Sequence, residues 1–151
     1  MKNTNLLPVL IAFIFLIASC TPESCEQDTE VLMRAGFFSA DSGEKESIDS
    51  LTVYGLYIPD SLIYSMVTLD MIDLPLNPSA SSCAFVIENG GRSDTIEIFY
   101  SSHLSFVSAA CGYIYLHELE NVFFTTNDIV NILITGKSVN PGNEQNIQIL
   151  F

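Results

Sequence analysis

The sequence predicts an all-β fold, an antiparallel β-sandwich of the immunoglobulin-like or a related type, with about eight strands. Short segments rich in β-branched and aromatic residues alternate apolar and polar side chains, which is the period of a strand. These segments recur about every 8–12 residues with Gly, Pro, Asn and Ser between them, a spacing typical of sandwiches. Helical periodicity is missing from every long window. An up-and-down barrel is the alternative fold.

The predicted strands begin after a polar leader and continue to the last residue. The clearest unit is a β-hairpin, in which residues 83–87 alternate, a Gly-rich turn follows at 88–93, and residues 95–100 alternate again. The other predicted strands cover residues 31–39 (or a short helix), 48–58, 62–67, 69–76, 104–110, 111–119, 122–125, 129–139 and 147–151. The last of these strands is expected to complete a sheet.

Residues 1–19 have the pattern of a bacterial lipoprotein signal peptide. Lys2 and a polar start precede an apolar run, and small residues stand directly before Cys20. The stretch at 6–19 is shorter than the roughly 20 apolar residues that a membrane-spanning helix needs. A retained anchor helix and an ordinary cleaved signal are the alternatives.

Cys20 is therefore the predicted lipidation site and the first residue of the mature chain. A short acidic tether at residues 20–29 would follow, and then a single β-sandwich domain at residues 30–151. Two or more acyl chains on Cys20 would hold the protein stably in a membrane, whereas one chain binds only marginally.

The mature chain would be strongly acidic. The sequence has 18 acidic and 5 basic residues, and of these only Lys2 lies within the signal, so a net charge of −14 remains. This charge excludes nucleic acid as a partner and repels an anionic lipid surface. The expected partner is therefore a membrane reached through the lipid. The charge itself indicates solubility rather than an acidic binding surface.

Three cysteines remain if Cys20 carries lipid, so one internal disulfide can form. Cys25, Cys83 and Cys111 allow three pairings, and spacing alone does not choose among them. Cys83 lies in an alternating segment, where it is typical of a small apolar strand residue. This favours a Cys25–Cys111 bond with Cys83 free and buried. Three unpaired thiols are the alternative.

The sequence predicts no catalytic residue, no metal site and no cofactor. His117 is followed by Glu118, but Asn121 stands where a zinc motif needs its second histidine. His103, which is expected at a turn, has no Gly-x-Ser-x-Gly motif to join in a triad. The acidic residues of the turn at 41–46 lack the spacing of a calcium loop. The sequence assigns no ligand-binding residues.

The six tyrosines bear on a second possible activity, since the sequence has no tryptophan. Sugar-binding sandwiches stack glycans on exposed aromatic rings, so an exposed strip of tyrosines would indicate a glycan-binding protein. Tyrosines at the rim of the core, with a buried ring and a polar tip in water, are the favoured interpretation.

The chain also carries a distinctive set of motifs: Cys20 with Cys25 shortly after it, Asp-Ser-Leu-Thr-Val-Tyr-Gly at 49–55, and Phe-Val-Ser-Ala-Ala-Cys-Gly-Tyr at 106–113. Together they resemble a family of small lipoproteins of unknown function from Bacteroidetes. The resemblance implies a Cys25–Cys111 disulfide with Cys83 as an extra thiol. It implies a cell-envelope location at the outer membrane, facing either the periplasm or the surface, and it carries no catalytic residues.

These observations lead to one expected function and two alternatives. We expect a lipid-anchored, non-enzymatic protein of the cell envelope that acts as an interaction or accessory module for a protein partner. A glycan-binding accessory lipoprotein is the alternative. A hydrolase comes third, and it would require a histidine joined to both a nucleophile and a carboxylate.

Overall fold

The computed structural model describes residues 24–57, 61–142 and 144–151, and in these ranges the chain is a β-sandwich without helices. Its strands are β1 (Leu32–Phe38), β2 (Ile48–Gly55), β3 (Leu62–Leu69), β4 (Met71–Pro75), β5 (Ser82–Asn89), β6 (Arg92–Ser108), β7 (Gly112–Phe124), β8 (Asn131–Ile134), β9 (Ser138–Val139) and β10 (Ile147–Leu150). None of the described residues belongs to a helix that could span a membrane. The predicted signal peptide, residues 1–19, and Cys20 lie outside these ranges.

The strands form two sheets, which confirms the predicted fold class. The smaller sheet has the order β4-β1-β10-β8, and the larger has the order β3-β2-β5-β6-β7-β9. β1 and β10 run parallel, while the other paired strands of the described residues run antiparallel. The chain passes from one sheet to the other six times, between β1 and β2, β3 and β4, β4 and β5, β7 and β8, β8 and β9, and β9 and β10. The two sheets are therefore linked by repeated crossings of the chain.

The inner faces of both sheets bury alternate residues in one core, as the period-two pattern predicts. Ile96 and Ile98 of the larger sheet and Phe37 and Ile149 of the smaller sheet are fully buried members of the same cluster. Apolar burial of this kind supplies most of the free energy that stabilises a domain of this size. The two hydrophobic faces thus explain why the sheets pack against each other.

The predicted hairpin is confirmed as β5 and β6. Its strands reach closer to the turn than expected, because Asn89 pairs with Arg92 and leaves only Gly90 and Gly91 between them. Both glycines have positive φ, 55° and 83°. A two-residue type I′ turn requires positive φ at both central positions, so the glycine pair determines this turn.

The number and bounds of the later strands differ from the prediction. The predicted strand at 104–110 is the end of β6, which stops at Ser108, and the predicted strands at 111–119 and 122–125 form one strand, β7, over Gly112–Phe124. The polar residues Ser101, Ser102 and His103 resemble a turn in the sequence, but they pair across the hairpin with residues of β7. His103 therefore lies within a strand and not at a turn.

β7 also contains a polar pair, Glu120 and Asn121. Asn121 pairs with Phe99 and Leu119 pairs with Tyr100, so the register shifts between them and Glu120 is the extra residue. The strand bulges there and continues, where the sequence suggested an end. Conversely, the predicted strand at 129–139 is divided into β8 and β9, because the chain changes sheets there.

The last strand completes a sheet, as predicted. β10 lies in the interior of the smaller sheet, between β1 and β8. Ile147 and Ile149 are fully buried, and they pair with Ala35 and Phe37 of β1. The end of the chain is therefore part of the core.

A buried carboxylate organises the loop between β7 and β8. Asp94 is only 2% exposed and accepts hydrogen bonds from the Thr125 hydroxyl (2.6 Å) and from the backbone N–H groups of Asn127 (2.8 Å), Asp128 (2.7 Å) and Ile129 (2.9 Å). Burial alone would raise the pKa of Asp94, but these hydrogen bonds outweigh it and hold the pKa below its usual value. Asp94 is a structural carboxylate.

Candidate functional site

The distal half of the β6–β7 hairpin extends beyond the rest of its sheet. Pairing of β6 with β5 ends at Phe99, and pairing of β7 with β9 begins at His117. Between these points and the turn, the two strands pair only with each other among the described residues. The distal hairpin is thus a two-stranded ribbon, an arrangement that is marginally stable on its own.

The face of this ribbon that continues the core is apolar and exposed. Tyr100 is buried on this face, but further along β6 the side chains of Leu104 and Phe106 are exposed. Tyr115 and Tyr113 lie opposite them on β7 and are exposed as well. We call these four side chains the tip strip: Leu104, Phe106, Tyr113 and Tyr115. Large apolar side chains grouped on a surface typically mark an interaction site.

The tip strip lies in an uncharged part of an acidic protein. Residues 104–116 contain no Asp, Glu, Lys or Arg, although the whole sequence contains 18 acidic residues. Phe106 and Tyr113 contact each other edge to face, with ring centroids 5.2 Å apart and an interplanar angle of 62°. This pair is therefore not the flat, coplanar platform on which sugar rings stack.

A disulfide joins the turn of the ribbon to the segment that precedes β1, residues 24–31, which we call the leader. Cys111 in the turn is bonded to Cys25, and their Cα atoms are 4.8 Å apart. The predicted Cys25–Cys111 pairing is confirmed. Cys83 is free, but its side chain is half-buried and not fully buried. The difference arises because Cys83 lies at the start of β5, where it borders a cavity.

A cavity of about 390 Å³ separates the leader from the ribbon. Its lining includes Thr29 and Val31 of the leader, Pro78 of the β4–β5 loop, and Tyr115 and His117 of β7. Polar and apolar side chains therefore share this cavity.

His117 is the buried polar side chain of this region. Its Nδ1 shares a hydrogen bond of 2.8 Å with the hydroxyl of Ser102, and its ring contacts Tyr100 edge to face at 5.3 Å. Burial lowers the pKa of His117, and repulsion from His103 adds to the effect. The histidine is therefore neutral at pH 7.

The Ser102–His117 pair has two of the three parts of a hydrolytic triad. Within the described residues, no carboxylate hydrogen-bonds His117 to orient it. Ser102 also lies in the middle of a strand rather than on the sharp strand-to-helix turn that exposes a nucleophile in hydrolases of the Gly-x-Ser-x-Gly type. The geometry describes a buried hydrogen bond better than an activated nucleophile.

A second and larger cavity, of about 630 Å³, lies between the start of β5 and the β2–β3 edge of the sheet. Its lining is mostly apolar and includes Leu56, Tyr57, Leu62, Ile63, Pro75, Leu76 and Phe85. Leu76 also lines the smaller cavity, so both cavities lie at the same end of the sandwich. This is the end from which the ribbon extends.

The thiol of Cys83 borders this larger cavity. It lies 2.9 Å from the hydroxyl of Tyr100, which donates a hydrogen bond to the Asn77 carbonyl (2.8 Å), and the Asn77 N–H in turn donates to the sulfur (3.4 Å). Burial raises the pKa of Tyr100, and the contact with Cys83 raises it further. Because these contacts give the buried hydroxyl of Tyr100 hydrogen-bonding partners, the tyrosine is accommodated in the core.

The edge strand beside this cavity is unusual in lacking charge. β3 forms the outer edge of the larger sheet, and its sequence, Leu-Ile-Tyr-Ser-Met-Val-Thr-Leu, contains no charged residue. Leu62 and Met66 of this strand and the neighbouring Tyr57 are exposed. Edge strands are normally protected from association by charged side chains or bulges. Here a positive φ at Met66 (50°) and shifts in register along the length of the strand make its pairing with β2 irregular.

Two acidic side chains of the described residues, Asp70 and Asp73, form ion pairs and no metal site. The described residues contain no group of three or more His, Cys, Asp or Glu side chains that could hold an ion. Asp70 forms an ion pair with Lys45 (2.7 Å), and its hydrogen bond with Lys45 lowers the pKa of Asp70. Asp73 forms an ion pair with Arg34 (3.3 Å).

The tip strip and the edge strand were not identified from the sequence. In the sequence, Tyr113 and Tyr115 are two of six tyrosines, and Leu104, Phe106 and Met66 have the pattern of ordinary strand residues. The signal that could have found the tip strip is the uncharged stretch at 104–116 within an acidic chain.

Comparison with known proteins gives one match. The model of a family of unknown function, DUF6452, matches residues 50–151, which include strands β3 to β10, most of β2 and Cys111. Searches of curated proteins and of solved structures gave no match. The match covers more than half of the chain, so this protein belongs to the DUF6452 family, whose function is unknown.

Proposed function

We propose that this protein is a lipid-anchored, non-enzymatic interaction or accessory module of the cell envelope, held at the outer membrane by acyl chains on Cys20. The observation that carries the proposal is the position of Cys20, directly after an apolar run that follows a basic start. The disulfide at Cys25, five residues further on, supports a domain held close to the membrane.

The surface that best fits a protein partner is the first half of β3 together with the larger cavity. An edge strand offers unpaired backbone N–H and C=O groups to a strand of another protein. Leu62 would pack against an apolar side chain of the partner, and the cavity lined by Ile63 and Leu76 would receive another. Because the mature chain has a net charge of −14, we expect an uncharged or basic partner segment.

Acylation of Cys20 is tested by the mass of the mature protein. The protein is purified from the envelope of a bacterial host that processes lipoproteins, and its first peptide is analysed by mass spectrometry. The proposal expects a chain that begins at Cys20 and carries two or three acyl groups. A chain that retains residues 1–19, or an unmodified Cys20, would refute the anchor.

The partner surface is tested by crosslinking in cells from two exposed positions. A photoreactive residue replaces either Leu62 on β3 or Leu133 on β8, which is exposed at the edge of the other sheet. The proposal expects a crosslinked protein of defined mass from position 62 and none from position 133. Equal crosslinking from both positions, or none from position 62, would contradict it.

A glycan-binding accessory protein is the second candidate, and the exposure of Tyr113 and Tyr115 on one face of β7 favours it. A glycan array distinguishes the candidates: specific binding that is lost in Tyr115→Ala and kept in Tyr57→Ala would support it. Tyr57 is a suitable control because it is exposed and lies outside the ribbon. An array without specific binding would remove this candidate.

A further inference from the structure

We infer that the tip strip lies in the interfacial layer of the lipid bilayer, so that the ribbon is a second, non-covalent membrane contact. The inference rests on the proposed lipid anchor at Cys20. It goes beyond that anchor because it assigns a membrane-binding role to the folded domain and to four named side chains: Leu104, Phe106, Tyr113 and Tyr115.

The first argument is distance. Cys25 is covalently bonded to Cys111 in the turn of the ribbon. Five residue steps from Cys20 to Cys25 span at most about 17 Å when fully extended. Tyr113 is two residues beyond Cys111, which adds about 7 Å along a strand. The tip strip is therefore confined close to the surface in which the acyl chains of Cys20 would be embedded.

The second argument is the chemistry of the side chains. Tyrosine has an apolar ring and a hydroxyl that remains hydrated, which suits the boundary between headgroups and acyl chains. Phe106 and Leu104 add apolar area without a polar group. On the described structure these side chains are exposed to water, and their transfer to an apolar layer is favourable. A single edge-to-face pair, Phe106 with Tyr113, covers only part of this area.

The third argument is charge, and it selects the kind of lipid. Residues 104–116 are free of charged side chains, so the ribbon can approach a bilayer without the repulsion that the rest of the chain would experience. The leader beside it carries the exposed residues Glu26, Asp28 and Glu30. The surface that fits is therefore zwitterionic, with choline or ethanolamine headgroups, and anionic lipid would weaken the contact.

The absence of tryptophan from the sequence permits a direct test. Phe106→Trp places a single tryptophan in the tip strip, and Phe123→Trp places one at the other end of the same hairpin. The two positions are matched in exposure, 59% and 57%. The full chain is processed in a bacterial host, purified, and reconstituted into phosphatidylcholine vesicles that contain lipids brominated near their headgroups.

We expect quenching of Phe106→Trp to exceed that of Phe123→Trp by at least about twofold, with emission shifted to shorter wavelength, because only the first ring would enter the interface. Phosphatidylglycerol in the vesicles should reduce this difference. Equal quenching at the two positions would overturn the inference. A shift of Phe106→Trp that follows protein concentration and not vesicles would assign the strip to a second copy, and would also overturn it.

The mass of the protein in the same samples shows whether Cys20 is acylated, and this distinguishes failure of the bilayer contact from failure of the lipid anchor. Acylated protein in which Phe106→Trp is not preferentially quenched overturns the bilayer contact and leaves the anchor intact. Protein without acyl groups on Cys20 overturns the anchor, and the bilayer contact with it. Circular dichroism and an intact Cys25–Cys111 bond verify that both variants are folded.

Discussion

Cys25 is bonded to Cys111 across 86 residues, and the bond joins the leader to the turn of the longest hairpin rather than to a sheet. The ribbon near that turn has no third strand within the described residues. The disulfide therefore holds the one part of the hairpin that lacks neighbouring strands.

Loss of this disulfide should destabilise the whole domain and the ribbon most of all. Closing a loop of 86 residues is worth about 4.6 kcal/mol in the chain-entropy model. We expect Cys111→Ser to lower the free energy of unfolding in urea by an amount of this order, and proteases to cleave the ribbon first. Cys83→Ser, which keeps the disulfide, serves as the control. Equal stability of the Cys111→Ser and Cys83→Ser variants would contradict this role.

Asp94→Asn should cost about 2–4 kcal/mol, because three backbone N–H groups and a hydroxyl lose a charged acceptor in a buried site. Asp41→Asn in an exposed turn is the control and should have little effect. The change is measured as a shift in the urea midpoint. A shift no larger than that of the control would show that Asp94 does not stabilise the loop.

The dependence of the free energy of unfolding on pH in the acidic range provides a second measurement on Asp94. Its pKa is lower in the folded protein than its ordinary value, so its contribution is fully present above about pH 4 and is lost as pH falls through the folded pKa. The Asp94→Asn variant should therefore lose less stability than the wild type on acidification below pH 4.

The sequence was most informative where a local rule determines the structure. The pair Gly90-Gly91 requires positive φ and therefore predicts a tight turn, and the alternation around it predicts two strands. Prediction from the sequence failed where pairing with another strand determines the local structure. Ser101 and Ser102 have the composition of a turn, yet they continue a strand because β7 lies alongside to pair with them.

The exposure of the tip strip could not be predicted for a related reason. Leu104 and Phe106 continue the same alternation that buries Ile96 and Ile98. Whether such a residue is buried depends on how far the opposing sheet extends, and that length is not encoded near Phe106. Only the lack of charge at 104–116 distinguishes this segment in the sequence.

Shortening the chain by its last five residues should unfold the protein, because this removes β10 from the interior of the smaller sheet. Two point substitutions in β10 allow the loss of stability to be measured in a protein that still folds. Ile149→Ala should cost about 2–5 kcal/mol, since Ile149 is fully buried. Gln148→Ala, on the opposite face of the strand, should cost much less. Thermal melting of the two variants at the same temperature would contradict the assigned core.

Acidification from pH 7 to pH 5 should weaken the end of the sandwich that carries the ribbon, through His117. Burial, with repulsion from His103, lowers the pKa of His117 in the folded protein. The stability that it contributes is therefore complete above its ordinary pKa of about 6.5 and is lost as pH falls through the folded value.

The loss can be at most about 1.4 kcal/mol per pH unit, because one proton is involved. We expect His117→Phe, which keeps a ring beside Tyr100, to be nearly insensitive to pH between 7 and 5, while the wild type is destabilised. His103→Gln removes the repulsion and should keep a smaller dependence on pH. Urea unfolding at pH 7, 6 and 5 measures all three proteins, and an unchanged pH dependence in His117→Phe would rule out His117 as the titrating group.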